Sequence, residues 1–143
     1  MTAKAAPAVA RGGLPASAWG VPLILLDSIA AVGADARGAV VVSGSHGGSS
    51  AARYAIAARP LVTAFNDAGG GKDEAGIAGL AMMQAEGLAA VAVAHTSACI
   101  GEARSTFDDG IVSHANAAAA ALGARPGLRL REWLLGSERP ARR

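Results

Sequence analysis

The sequence predicts a single α/β domain: a mostly parallel sheet of about five strands with helices packed on it. Three observations predict it. Short runs at residues 21–27 (VPLILLD), 39–43 (AVVVS), 61–66 (LVTAFN) and 89–94 (AAVAVA) are apolar at nearly every position, the pattern of strands buried on both faces. Segments with helical spacing lie between them, as a βαβ succession requires. A length of 143 residues suits one domain.

The elements run in order along the chain. The first two strands occupy 21–27 and 39–43. A helix is expected over 49–58, with Ser49 as its cap, stopped by Arg59-Pro60. The third strand is 61–66. A helix over 73–86 carries Ile77, Leu80 and Ala81 at helical spacing, with Leu88 continuing it, and Gly87 suits its end. Gly76 and Gly79 weaken that helix but permit close packing. The fourth strand is 89–94. A long polar connection (AHTSACIGEARSTFDDG) leads to a helix over 110–122, entered through Asp108-Asp109 and closed by Gly123. Residues 128–133 (LRLREW) alternate with period two, which predicts an edge strand. Residues 1–20 read as a flexible arm, 21–135 as the domain and 136–143 as a basic flexible tail.

Composition limits the function. The net charge is +2, yet six Arg and two Glu lie from Arg125 onward, leaving seven of the 13 basic and nine of the 11 acidic side chains before it. The basic character is a property of the tail. The body has no basic stripe and few aromatics, so nucleic acid is not an expected partner. No apolar run is long enough to span a membrane, no signal-peptide core is seen, and a lone cysteine suits a reducing compartment. The expectation is a cytoplasmic protein with a small-molecule ligand, forming a homo-oligomer through surfaces such as Ala117–Ala121.

The polar residues fall just after the apolar runs: Asp27 and Ser28; then Ser43, Gly44, Ser45, His46, Gly47, Gly48 and Ser49; then Asn66, Asp67 and Lys72; then His95, Thr96 and Ser97. In a parallel sheet these positions share the carboxyl edge, where α/β proteins bind ligands. The convergence requires the strands at 39–43 and 89–94 to be adjacent and parallel. Glycines at 44, 47 and 48 would let backbone N–H groups form an anion nest at a helix start. The glycine run before Lys72 is not a Walker loop, because Asn66 and Asp73 break that pattern around Gly71-Lys72. The serine-histidine loop is not a nucleophile elbow either, since Gly-Ser-His-Gly lacks one residue of G-x-S-x-G.

The expected chemistry is an enzyme acting on a polar or anionic substrate (carboxylate, amide or phosphate), with hydrolysis preferred. His46 is the candidate general acid or base, Asp67 its orienting carboxylate, and Ser45 (or Ser43) a nucleophile if a base lies within reach. Ser43, Gly44, Gly47, Gly48, Asn66, Lys72, His95, Thr96 and Ser97 are the candidate binding residues. Cys99 reads as a small buried residue, His95 as a half-buried one, and His114 as a surface histidine in a helix. No cofactor is called for. The alternative is a divalent metal on His46, His95 and His114 with Asp67, Asp108 or Asp109. A different class, a non-catalytic ligand-binding or regulatory module for a small anion or nucleotide, uses the same loop without proton transfer.

Overall fold

The computed structural model describes residues 17–136. Of the arm expected over 1–20, residues up to 16 lie outside the described residues, as does the tail expected over 136–143 from residue 137 onward. Five strands, β1 Leu23–Leu26, β2 Val40–His46, β3 Val62–Asn66, β4 Ala89–Val93 and β5 Val112–Ala115, form one sheet in the order β1-β2-β3-β4-β5. The first four are parallel and β5 runs antiparallel to β4. The sequence-predicted class, a mostly parallel five-stranded α/β sheet, is the observed one. The predicted adjacency of the second and fourth strands is not: β3 lies between them. The adjacency condition for convergence is therefore not met: the two loops share an edge only because all four strands point the same way, and two strand spacings, about 9.5 Å, separate them.

Alternation along each strand sends residues to two cores. Leu23, Val40, Val42, Val62, Ala64, Val91 and Val93 face one side, against Phe107, Leu130, Trp133 and Leu134. Ile24, Val41, Phe65, Ala90 and Ala92 face the other, against Ala52, Ala55, Leu80 and Met83. Period-two geometry requires this split when both faces are covered. The helices doing so are α1 Ser49–Ala58 and α2 Ala78–Ala85 on one face and α3 Ala103–Asp109 and α5 Leu130–Leu135 on the other, with the short α4 Ala117–Ala121 against β4. Small side chains let α1 and α2 meet closely. A Cβ on Gly79 would lie 2.5 Å from the Gly48 carbonyl oxygen and 2.8 Å from the Ala52 Cβ.

Four element predictions are corrected. The helix expected over 110–122 is β5 followed by α4. Ile111 and Val112 are β-branched and favour the strand, and the true helix cap is Asn116, whose side chain accepts the Ala119 N–H. The edge strand expected over 128–133 is α5: its buried residues Leu130, Trp133 and Leu134 have i, i+3, i+4 spacing, which the alternating window concealed. The polar connection contains α3, burying Ala103, Thr106 and Phe107 at the same spacing; Asp108 and Asp109 end that helix and do not begin the next. The helix expected from residue 73 begins as an irregular 3-10 segment, Lys72–Ile77, with Asp73 and Glu74 in left-handed conformation. Regular helix starts only at Ala78. The Gly76 amide is held by the Gly70 carbonyl at 2.8 Å and the Gly79 amide by the Gly47 carbonyl at 2.7 Å, so tertiary contacts outweigh propensity there.

Before β1, the Ala18 N–H donates to the Leu134 carbonyl at 2.7 Å. Trp19 meets Trp133 edge to face, with ring centroids 5.4 Å apart. This geometry adds to the burial both rings supply in a core otherwise built of small side chains.

Candidate functional site

The carboxyl ends of β1–β4 form the edge where the candidate residues collect. One segment divides it. The Gly101 N–H donates to the Gly44 carbonyl at 2.7 Å, drawing residues 98–102 across the end of β2. Only glycine permits this: a Cβ at position 44 would lie 2.5 Å from the Glu102 nitrogen and 2.7 Å from the Asp27 carbonyl oxygen. Asp27 then accepts the Ala103 N–H at 2.9 Å, capping α3. Two clefts result. One, about 420 Å³, is lined by Asp27, Ser45, His46, Ser50 and Tyr54. The other, about 530 Å³, is lined by Asn66, His95, Thr96, Cys99 and Asp109. Exposed Ile100 belongs to both. A further cleft of about 550 Å³ on the flank of α1 offers Arg53 and Tyr54 but no acid–base pair.

In the first cleft the polar groups are largely committed to the fold. Ser43, Gly44, Ser45 and His46 are the end of β2 and not a loop. Ser43 is fully buried and donates to the Ala64 carbonyl. The Ser45 hydroxyl accepts the Ile29 N–H at 3.0 Å. The Gly47 N–H donates to the Asn66 carbonyl. The Gly48 N–H donates to His46 Nδ1 at 3.2 Å, so the imidazole folds back over the start of α1. The amides of Gly47 and Gly48 are therefore engaged within the protein. The first α1 amide with a backbone acceptor is that of Ala52, on Gly48; those of Ser49–Ala51 precede it, as at any helix start.

The second cleft borders the densest polar cluster. Asp67, 6 % exposed, lies just beyond β3. Its Oδ1 accepts from the Gly69 N–H at 2.8 Å, the His95 N–H at 3.0 Å and the His95 ring Nδ1 at 3.3 Å. Its Oδ2 accepts from the Ser113 hydroxyl at 2.7 Å, and His114 Nδ1 stands 4.0 Å away. Burial pushes the Asp67 pKa up. The hydrogen bonds from Ser113, the Gly69 and His95 amides and the His95 ring outweigh burial and hold the carboxyl below its usual range. An ionised carboxylate only accepts, so a neutral His95 bonded to it through Nδ1 carries its proton there. That leaves Nε2 bare on a ring whose side chain is 55 % exposed. The neighbouring Asn66 is buried and organises both loops, accepting the Ala68 N–H and donating to the Ala98 carbonyl.

The structure thus brings Asp67, Asn66, His95, Thr96 and Ser97 together; His46 lies opposite Asn66 in the β2–β3 register, but its ring bonds to the Gly48 N–H and Asp67 bonds to His95 and Ser113. Ser97 donates to the Ala94 carbonyl and accepts the Ile111 N–H, fixing the turn that carries His95. Thr96 is exposed on the cleft wall and Lys72 is exposed at the start of the 3-10 segment that follows Asp67. Cys99, expected to be buried, is exposed and lines the cleft; its neighbour Ala98 takes the buried position. His95 is likewise exposed where half-burial was expected. His114 sits on β5, not in a helix. Among the described residues no group of three or more His, Cys, Asp or Glu stands together as metal ligands, and Asp108 is engaged by Arg104 and Arg131. Ser113 was not singled out from the sequence. The signal that could have found it is the Ile111-Val112 pair before the Asn116 cap, which marks residues 112–115 as a strand beside β4.

No protein-family model matches the chain, and no curated protein or solved structure matches it either. Among the described residues no helix is long and apolar enough to cross a membrane.

Proposed function

We propose that this protein is an enzyme acting by acid–base catalysis on a small polar or anionic molecule, with hydrolysis of a carboxylic ester, amide or phosphate the preferred reaction. The observation that carries this is the buried Asp67 carboxylate holding His95 by Nδ1 at the mouth of a cleft. In this reading His95 Nε2 takes a proton from water as the water oxygen attacks the substrate, then returns it to the leaving group. Asp67 fixes the ring's orientation and stabilises the imidazolium that forms between the two steps. The role assigned to His46 from sequence passes to His95, because Asp67 orients His95. Lys72, exposed on the segment that follows Asp67, is the candidate cation for the substrate's anionic end.

The test is a thermal-shift screen with phosphates, carboxylates, amides, nucleotides and divalent metals, followed by turnover assays on each stabilising compound. His95→Ala is expected to keep the fold and lower kcat by about 10²–10⁴-fold. Turnover unchanged in that variant would overturn the assignment. A ligand shift that persists in it, with no turnover in either protein, would make the chain a non-catalytic ligand-binding or regulatory module. The proposal includes a homo-oligomer, with Tyr54, Ile100 and Ile111 as its exposed large apolar side chains, and a cytoplasmic setting suited to the free thiol. Sedimentation showing a monomer at micromolar concentration would remove the oligomer.

A further inference from the structure

The Ser113 hydroxyl lies between two stronger partners, Asp67 Oδ2 at 2.7 Å and His114 Nδ1 at 2.9 Å, with the Ala92 carbonyl farther off at 3.3 Å. A hydroxyl has one proton to give. The shorter contact is to a carboxylate, and charge-assisted bonds are the stronger ones. The proton therefore points to Asp67, and Ser113 faces His114 with its lone pairs. A neutral His114 then carries its own proton on Nδ1 and leaves Nε2 bare. Its side chain is 40 % exposed.

We propose that Asp67 sets the tautomer of two histidines, His95 directly and His114 through Ser113, so that the cluster presents two bare imidazole nitrogens. Ser113 is a positioning residue: it touches no substrate, and it transmits the carboxylate's polarity to His114. His114 becomes a second proton-accepting group beside His95. His95 bonds to Asp67 Oδ1 directly and His114 reaches Oδ2 through Ser113, one from the turn after β4 and the other from within β5, which pairs antiparallel to β4. A catalytic use of the second base rests on the acid–base reading of His95. The tautomer assignment rests on hydrogen-bond geometry alone.

The experiment is two-dimensional ¹⁵N–¹H correlation of the histidine rings in the full chain, at a pH where the rings are neutral. The wild type is expected to show the proton on Nδ1 of both His95 and His114. Ser113→Ala should move His114 towards the Nε2–H form while His95 keeps Nδ1–H. Ser113→Thr, which restores a hydroxyl, should return His114 to Nδ1–H. Asp67→Asn should release both rings. His114 on Nε2–H in the wild type, or unchanged in folded Ser113→Ala, would overturn the proposal. If the tautomers are as expected and no substrate turns over, the enzyme reading fails and the relay stands.

Discussion

Gly44→Ala isolates the feature that shapes the edge. The added methyl would approach the Glu102 nitrogen and the Gly101 carbonyl carbon at 2.5 Å and the Asp27 carbonyl oxygen at 2.7 Å. All three are backbone atoms, so no side chain can swing away. Relief requires residues 98–102 to lift from β2. That lengthens the bond from the Gly101 N–H to the Gly44 carbonyl and the Asp27 cap on α3. Overpacking costs about 1–3 kcal/mol, a lost hydrogen bond about 1 kcal/mol and a lost cap about 1 kcal/mol. The sum is about 3–5 kcal/mol, a large share of a typical domain's stability. Urea denaturation with Gly87→Ala as reference reads it. Gly87 has positive φ, which Gly44 does not, but nothing within 4 Å of a built Cβ, so that variant should show only the left-handed strain, about 1–2 kcal/mol. If the two variants lose equal stability, residues 98–102 are not locked against β2 and the division into two clefts fails.

Two further predictions concern the polar interior. Asn116 donates to the Leu80 and Leu88 carbonyls and accepts from the Ala90 and Ala119 amides; Asn116→Ala should cost about 2–4 kcal/mol by chemical denaturation, and a loss below about 0.5 kcal/mol would show those groups re-pairing with water. Asp67 has its pKa lowered on folding, so its contribution is fully present above about pH 4, the usual carboxylate range, and is lost as pH falls through the folded value. The stability gap between wild type and Asp67→Asn should therefore narrow on acidification below about pH 4, and a gap constant down to the acid transition would contradict the hydrogen-bond network drawn for this carboxylate.

The first four strands are legible because strands buried on both faces must be continuously apolar, and few other local structures use such short runs. The carboxyl-edge residues are legible for the same reason: once the strands are parallel, the residues after each strand share one edge. The region after β4 is less so. Residues 128–133 satisfy a two-residue period within the window, yet α5 buries Leu130, Trp133 and Leu134; short stretches satisfy both periods and only packing chooses. Residues 110–122 split at Asn116, where the β-branched Ile111-Val112 pair before the cap is the one local sign of a strand and pairing with the free edge of β4 decides it.

From sequence alone came the class, the parallel core and the edge on which polar groups gather, all consequences of hydrophobic periodicity. Tertiary structure alone decided which polar groups meet. His46 is three residues from Ser43 and twenty-one from Asp67 in the chain, but its ring is satisfied by Gly48. Asp67 finds its partners at His95 and Ser113, delivered by β4 and an antiparallel β5. Hydrogen bonds act over about 3 Å, and sequence spacing cannot fix distances of that size between side chains on different strands.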